Sequence, residues 1–215
     1  MINDVITIYF IRHAESIGNE EKRLCGRTNF KLSETGKEQA NQLGEYMRDI
    51  PLDIIYSSPL IRTYDTAKGI QTNHEDFIPI RTISNFKEVD FGSLDGFTHE
   101  LARECFPKEM NDWTFVKRYP EGLPKQESIE DAQARFLDGL NKVLDNTIYT
   151  SICIVTHGTV LRSVLASFLN YSKDEYRNIP SFPNASITKV IYDKNSKQFN
   201  VEYIGHIKPL EEKEA

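Results

Sequence analysis

Short runs of β-branched and aromatic residues alternate along this chain with longer stretches whose apolar positions fall three and four residues apart. Residues 5–11 form a nearly continuous apolar run, the pattern of a strand buried on both faces. Ser33 then caps a predicted helix on which Ala40, Leu43 and Met47 share one face, and the helix ends before Pro51. A second strand is expected at 53–56. Ser58-Pro59 sets a capping hydroxyl ahead of a proline at the first helical position, which predicts a helix from Pro59 to about Gln71. A third strand at 78–82 contains Pro79 and therefore belongs at an edge or starts there. Ser128 opens a long helix with Ile129, Ala132, Phe136, Leu140 and Val143 on one side, and Asp131 is placed to complete the cap. A strand at 151–156 and a helix over 159–169 follow. Residues 187–192 and 199–204 read as a closing β pair joined by turn residues.

Strands alternating with helices imply an α/β fold: a mostly parallel sheet covered on both faces, which is a three-layer α/β/α sandwich. The exception is 83–127, an irregular block with Pro107, Pro120 and Pro124 and a short helical stretch near 98–105. It is expected to form a lid-like insertion within a single domain spanning 1–215. A chain of 215 residues suits that size.

Charge narrows the function classes. Twenty-six basic against 32 acidic residues give a net charge of −6, which argues against a general nucleic-acid or membrane-surface binder but leaves room for a local basic pocket. The longest apolar run, 5–11, is far too short to span a bilayer. Met1-Ile2-Asn3-Asp4 lacks the basic start of a secretion signal, so a cytoplasmic location is expected. Cys25, Cys105 and Cys153 are odd in number, far apart and in no CxxC pattern, which speaks against a disulfide framework or a cysteine zinc site.

Ligands of a doubly wound sheet collect at the carboxyl ends of its strands. The first predicted strand runs into Arg12-His13-Ala14-Glu15-Ser16, and the strand at 151–156 runs into His157-Gly158. The second leads to Ser57-Ser58-Pro59 and then to Arg62, in the first turn of a helix. Two arginines, two histidines and helix N-termini converging on one crevice describe a site for a dianion such as a phosphoryl group.

Four blocks carry a resemblance: Arg-His-Ala-Glu-Ser-x-x-Asn at 12–19, Ser-Ser-Pro-Leu-x-Arg-Thr at 57–63, Lys-Glu-Val-Asp-Phe-Gly-Ser-Leu-Asp-Gly at 87–96, and Thr-His-Gly at 156–158. In this order they resemble the histidine phosphatase superfamily, with its phosphoglycerate mutase-like fold. The segment 26–33 is similar to the family's approach to its first helix, with Asn29 where aspartate is commoner. Gln126-Glu127-Ser128 resembles the family's Gly-Glu-Ser, and Ala14 stands where glycine is usual.

The resemblance implies that His13 is the nucleophile and that Arg12, Arg62 and His157 hold the transferred phosphoryl group. Asn19 and Ser16 match phosphate-fixing positions, and Gly158 joins them in substrate binding. Glu88 matches the acid that protonates the leaving oxygen and then activates water. No metal or other cofactor is implied, because the arginines supply the positive charge. The expected partner is a small-molecule phosphomonoester, with no nucleic acid and no membrane, and the oligomeric state is left open.

Three rival readings fit the sequence less well. Mutases of this family follow the acid glutamate with Arg-x-Tyr-Gly and carry a later arginine-rich segment. Here Val89-Asp90-Phe91-Gly92 follows Glu88, and Lys117-Arg118 is the only adjacent basic pair before the long helix, so hydrolysis is favoured. A metal-dependent hydrolase built on His13, Glu15 and His157 lacks helical i, i+4 ligand spacing. A non-catalytic phosphate-sensing module is disfavoured because every core group is present. Glu15 either holds its loop or meets substrate, and His99 is the remaining histidine to test. Phe106, Trp113, Phe115 and Tyr119 are expected to pack the insertion. The balanced charge of residues 97–125 favours a simple phosphomonoester over a polyphosphate.

Overall fold

The computed structural model describes residues 4–111, 123, 125–172 and 175–207. In chain order the elements are β1 (Val5–Arg12), α1 (Ile17–Glu20), α2 (Glu34–Met47), β2 (Ile54–Ser57), α3 (Ile61–Asn73), β3 (Ile80–Thr82), α4 (His99–Cys105), α5 (Pro107–Asn111), α6 (Ile129–Asn146), β4 (Ser151–Thr156), α7 (Gly158–Phe168), β5 (Ile187–Asp193) and β6 (Gln198–His206). Short 3-10 turns sit at Ser84–Phe86, Gly92–Leu94 and Tyr176–Asn178.

The six strands form one sheet in the order β3-β2-β4-β1-β5-β6. The β1–β4, β2–β4 and β2–β3 pairs are parallel, β5 lies antiparallel to both β1 and β6, and β6 forms one edge. Period-two alternation divides the core. Ile6, Ile8 and Phe10 of β1 face Phe136 and Leu140 of α6 and Val160 and Val164 of α7. Ile11 points the other way, with Leu43 and Met47 of α2 and Ala67 and Ile70 of α3. The predicted three-layer sandwich is the observed one.

Several boundaries move, each for a local reason. Asp53 precedes β2, and its carboxylate accepts the Thr150 and Ser151 amides at 2.8 and 2.9 Å, pinning the start of β4. Helix α3 starts at Ile61, not at Pro59. Ser58 does not cap it: Asn29 Oδ1 accepts the Ile61 amide at 2.7 Å, so the cap comes from a distant loop. Strand β3 is shortened to 80–82 at the sheet edge, with Pro79 just outside it. Of the insertion aromatics, Phe106 packs against the main core beside Phe97, while Trp113, Phe115 and Tyr119 lie outside the described residues. Cys153 is buried in β4 and Cys105 is exposed. Among the described residues no helix is long and apolar enough to cross a membrane.

Helices α2 and α3 touch backbone to backbone. A Cβ on Gly44 would lie 2.2 Å from the Gly69 carbonyl oxygen, and one on Gly69 would lie 2.5 Å from that of Ala40. Separating the helices to admit a methyl group would tear α3 from the sheet it covers. Gly44→Ala is therefore expected to cost about 1–3 kcal/mol, read from the urea unfolding midpoint. An unchanged midpoint would show that the helices part freely.

Candidate active site

Strands β1 and β4 are neighbours in register, with Arg12 opposite Thr156, so the residues that follow them, His13 and His157, emerge side by side. Their rings lie 5.2 Å apart between centroids. His13 Nδ1 is 2.7 Å from the Ala14 carbonyl oxygen. A carbonyl only accepts, so Nδ1 carries the proton and Nε2 presents a lone pair. That lone pair accepts from Arg62 Nε–H at 3.2 Å. Ala14, at the position where glycine is usual, is not among the residues with positive φ, and its amide donates to Thr66 Oγ1.

His157 is fully buried, and its Nε2 sits 2.9 Å from Ser58 Oγ. Ser58 Oγ already accepts the Leu60 amide, so its own proton is free to go to His157 Nε2. On that assignment Nδ1 of His157 carries the hydrogen, a buried donor with no partner among the described residues. Burial is the first reason that His13 titrates well below its usual 6.5, and the Arg62 and Arg12 charges push the same way. His157 is held down likewise, by burial first, then by Arg62, His13, Arg27 and Arg12.

Arg62, in the first turn of α3, has no exposed surface. Beyond His13, its guanidinium donates to the carbonyls of Thr28 at 2.8 Å, Cys25 at 3.1 Å and Gly26 at 2.8 Å. Arg12 donates through Nη1 to the Phe182 carbonyl, its Nε is buried with no partner among the described residues, and Gly158 packs against it. Among the described residues neither guanidinium has a carboxylate ion-paired to it. Two cations, two neutral histidines and the unmet donors Arg12 Nε and His157 Nδ1 leave this side of the site short of negative charge.

Glu88, nearly buried, closes the opposite wall of the cleft. Its Oε1 accepts the Val89 and Val160 amides at 2.9 and 2.8 Å, and Oε2 accepts Thr159 N at 2.9 Å, at the N-terminus of α7. One lone pair of Oε2 remains. The Glu88 loop is fixed in turn: Thr156 Oγ1 donates to Phe86 O, and Arg135 donates to the carbonyls of Asn85, Lys87 and Glu88. Arg135 and Arg27 both pair with Glu127, the glutamate of the segment 126–128.

The resulting cleft, about 240 Å³, is lined by Arg12, His13, Asn19, Glu88 and Gly158 from the expected set, while Arg62 and His157 are fully buried and do not line it. Ser16 stands behind it as the N-cap of α1, where its hydroxyl bonds Asn19 Oδ1 at 2.9 Å. Glu15 turns away, accepting from Ser33 Oγ at 2.7 Å. Among the described residues no group of three or more His, Cys, Asp and Glu side chains converges as a metal site. Half-buried His99 and Cys25 do line the cleft. Sequence reasoning missed Arg23, Arg162, Tyr176, Ser181 and Phe182 on its rim, and Asn184, whose Nδ2 donates to the His13 carbonyl at 2.9 Å. Most of these sit in the stretch 170–186, which has no periodicity to mark it.

Comparison with known proteins gives the family. The family model for the histidine phosphatase superfamily (branch 1) matches residues 8–203. The uncharacterized phosphatase PhoE of Bacillus subtilis is 33% identical over 159 residues, covering 74% of this chain and 75% of that protein. A 2,3-bisphosphoglycerate-dependent phosphoglycerate mutase of Rhizobium etli is 30% identical over 164 residues, 74% of this chain and 78% of its own. The solved structure of Bacillus stearothermophilus YhfR superposes with a TM-score of 0.85 at 27% identity, covering 94% of this chain and 98% of that one. The chain belongs to the histidine phosphatase superfamily, branch 1.

Histidines folded in the neutral state make stability depend on pH. Below about 6.5 the unfolded chain binds protons that the folded site refuses, so stability falls as pH drops towards the depressed folded values. Each of His13 and His157 is expected to contribute a slope approaching about 1.4 kcal/mol per pH unit in that window. Urea unfolding between pH 7.5 and 5 in phosphate-free buffer measures this, and His13→Asn should flatten the slope. Equal slopes in both proteins would mean that His13 is not held neutral.

Proposed function

We propose that this protein is a metal-independent phosphatase that hydrolyses a small-molecule phosphomonoester through a phosphohistidine on His13. The observation that carries the reading is the His13 ring: it lines the cleft beside Arg12, its Nε2 lone pair is held by the buried Arg62, and among the described residues neither guanidinium is ion-paired to a carboxylate. The family's named phosphatases support the reaction class.

The steps follow from the donors in place. His13 Nε2 attacks phosphorus in line with the departing alkoxide, and the Arg62 Nε–H bond that held the lone pair passes to a phosphoryl oxygen. Arg12, Arg62 and the Nδ1–H of His157 take up the charge spread over the equatorial oxygens. Asn19, held by Ser16, and the backbone at Gly158 border the same oxygens. The P–O bond to the leaving group breaks, and its oxygen takes a proton carried on the remaining Oε2 position of Glu88. Water then attacks the phosphohistidine, and Glu88 accepts the water's proton as the P–N bond breaks.

The whole chain acts as one domain in this reading, with 83–127 as the lid-like insertion; Phe91 and His99 on the cleft wall support that role. A mutase reading needs side chains that grip a second anion, and the Lys117-Arg118 pair that would contribute lies outside the described residues.

Hydrolysis of p-nitrophenyl phosphate in excess chelator is expected to match that without chelator, and His13→Ala is expected to lower kcat by about a thousandfold or more while abolishing acid-labile phosphoenzyme. Loss of activity on chelation, or turnover by the variant, would overturn the mechanism. Glu88→Gln should slow substrates with alkyl leaving groups by about 10²–10⁴-fold and nitrophenyl phosphate far less, because nitrophenolate departs without a proton. Equal losses on both substrates would assign Glu88 another task.

A further inference from the structure

Asp95 does not line the cleft, yet its carboxylate gathers three successive backbone amides. Oδ1 accepts Gly26 N at 2.9 Å, and Oδ2 accepts Arg27 N at 2.6 Å and Thr28 N at 2.9 Å. The same loop turns the carbonyls of Cys25, Gly26 and Thr28 onto the Arg62 guanidinium. The Cys25 carbonyl and the Gly26 amide are two ends of one planar peptide unit, as are the Gly26 carbonyl and the Arg27 amide. Two peptide dipoles are therefore bonded to a carboxylate at one end and to a guanidinium at the other, and each bond polarises the next.

We propose that Asp95 is the positioning residue for Arg62, holding the 25–28 loop so that the guanidinium keeps Nε–H on His13 and its charge towards the phosphoryl site. The inference rests on the reading of His13 as nucleophile and Arg62 as phosphoryl clamp. A carboxylate bonded directly to Arg62 would occupy the donors and cancel the charge that a phosphoryl group needs. Placed one peptide away, the Asp95 charge compensates a buried cation without competing for its donors.

The backbone around Asp95 is fixed independently of its side chain. Gly96 N donates to Leu24 O at 2.8 Å, and Leu24 N donates to Phe97 O at 2.9 Å. Gly96 takes the turn at φ +84°. Asp95→Asn should thus keep the fold while removing the charge and setting an amide donor against one of the loop amides.

The test is a cycle of wild type, Asp95→Asn, Arg62→Ala and the double variant on p-nitrophenyl phosphate, with the Arg62 Nε–H followed by ¹⁵N NMR. Asp95→Asn is expected to lower kcat by about tenfold or more with KM changed less than about threefold, and to cost less than about threefold once Arg62 is alanine. The Arg62 Nε–H signal, identified by its absence from Arg62→Ala, should exchange with solvent about tenfold faster in Asp95→Asn. Unchanged Nε–H protection overturns the proposal, and so does an equal loss of kcat in both Arg62 backgrounds. A wild type without hydrolysis overturns the catalytic reading instead, and the Nε–H signal then decides on Asp95 alone.

Discussion

Two arginines stand at the carboxyl ends of the sheet, one of them with no surface in water, and among the described residues no carboxylate is ion-paired to either. Desolvating a guanidinium without an anion is costly, and a protein lowers that cost with oriented dipoles or with a ligand. Here the dipoles are backbone carbonyls: three from the 25–28 loop on Arg62 and that of Phe182 on Arg12. Burial first, and then the positive potential of the arginines, keeps His13 and His157 neutral, which is the protonation state a nitrogen nucleophile requires. The same potential is what an incoming dianion would satisfy. The proposed nucleophile and the proposed charge clamp therefore depend on the same buried, carbonyl-held arginines.

The fold's task is to keep those charges in place. The β1–β4 register sets the two histidines side by side, and β2, one strand over, delivers Ser58 to the second of them. Helix α3 brings Arg62 in its first turn and is locked to α2 through Gly44 and Gly69 at backbone contact distance. On the other wall, the first amides of α7 receive Glu88, and the Arg27–Glu127–Arg135 network ties its loop to the loop that embraces Arg62. Precision at the centre is thus supplied by sheet register on one axis and by buried polar bonds on the others.

Local pattern was enough to read the strands and helices that build this platform, because each satisfies a periodicity and a terminal signal of its own: Ser33 and Ser128 do cap α2 and α6. Where a terminus depends on a distant residue, local reading fails. Ser58 looked like the cap of α3, but its hydroxyl is committed to His157, and Asn29, more than thirty residues away, takes the capping bond. The strand-end placement of His13 and His157 was legible because each directly follows a strand. Asn184, Phe182 and Asp95 act through backbone groups or from irregular segments, and no spacing rule announces a side chain whose partners are three loop amides.

Much of the machinery around the reacting centre is main chain: the carbonyls of Ala14, Cys25, Gly26, Thr28 and Phe182 and the amides of Thr159 and Val160. Main-chain groups are present whatever side chain is attached. Cys25 serves Arg62 with its carbonyl, while its thiol points elsewhere and donates to the Arg23 carbonyl at 3.3 Å. Divergence at such positions can reshape the walls of the cleft while the chemistry beneath stays constant. A lineage carrying this frame is therefore able to drift from one phosphate ester to another by surface substitutions alone.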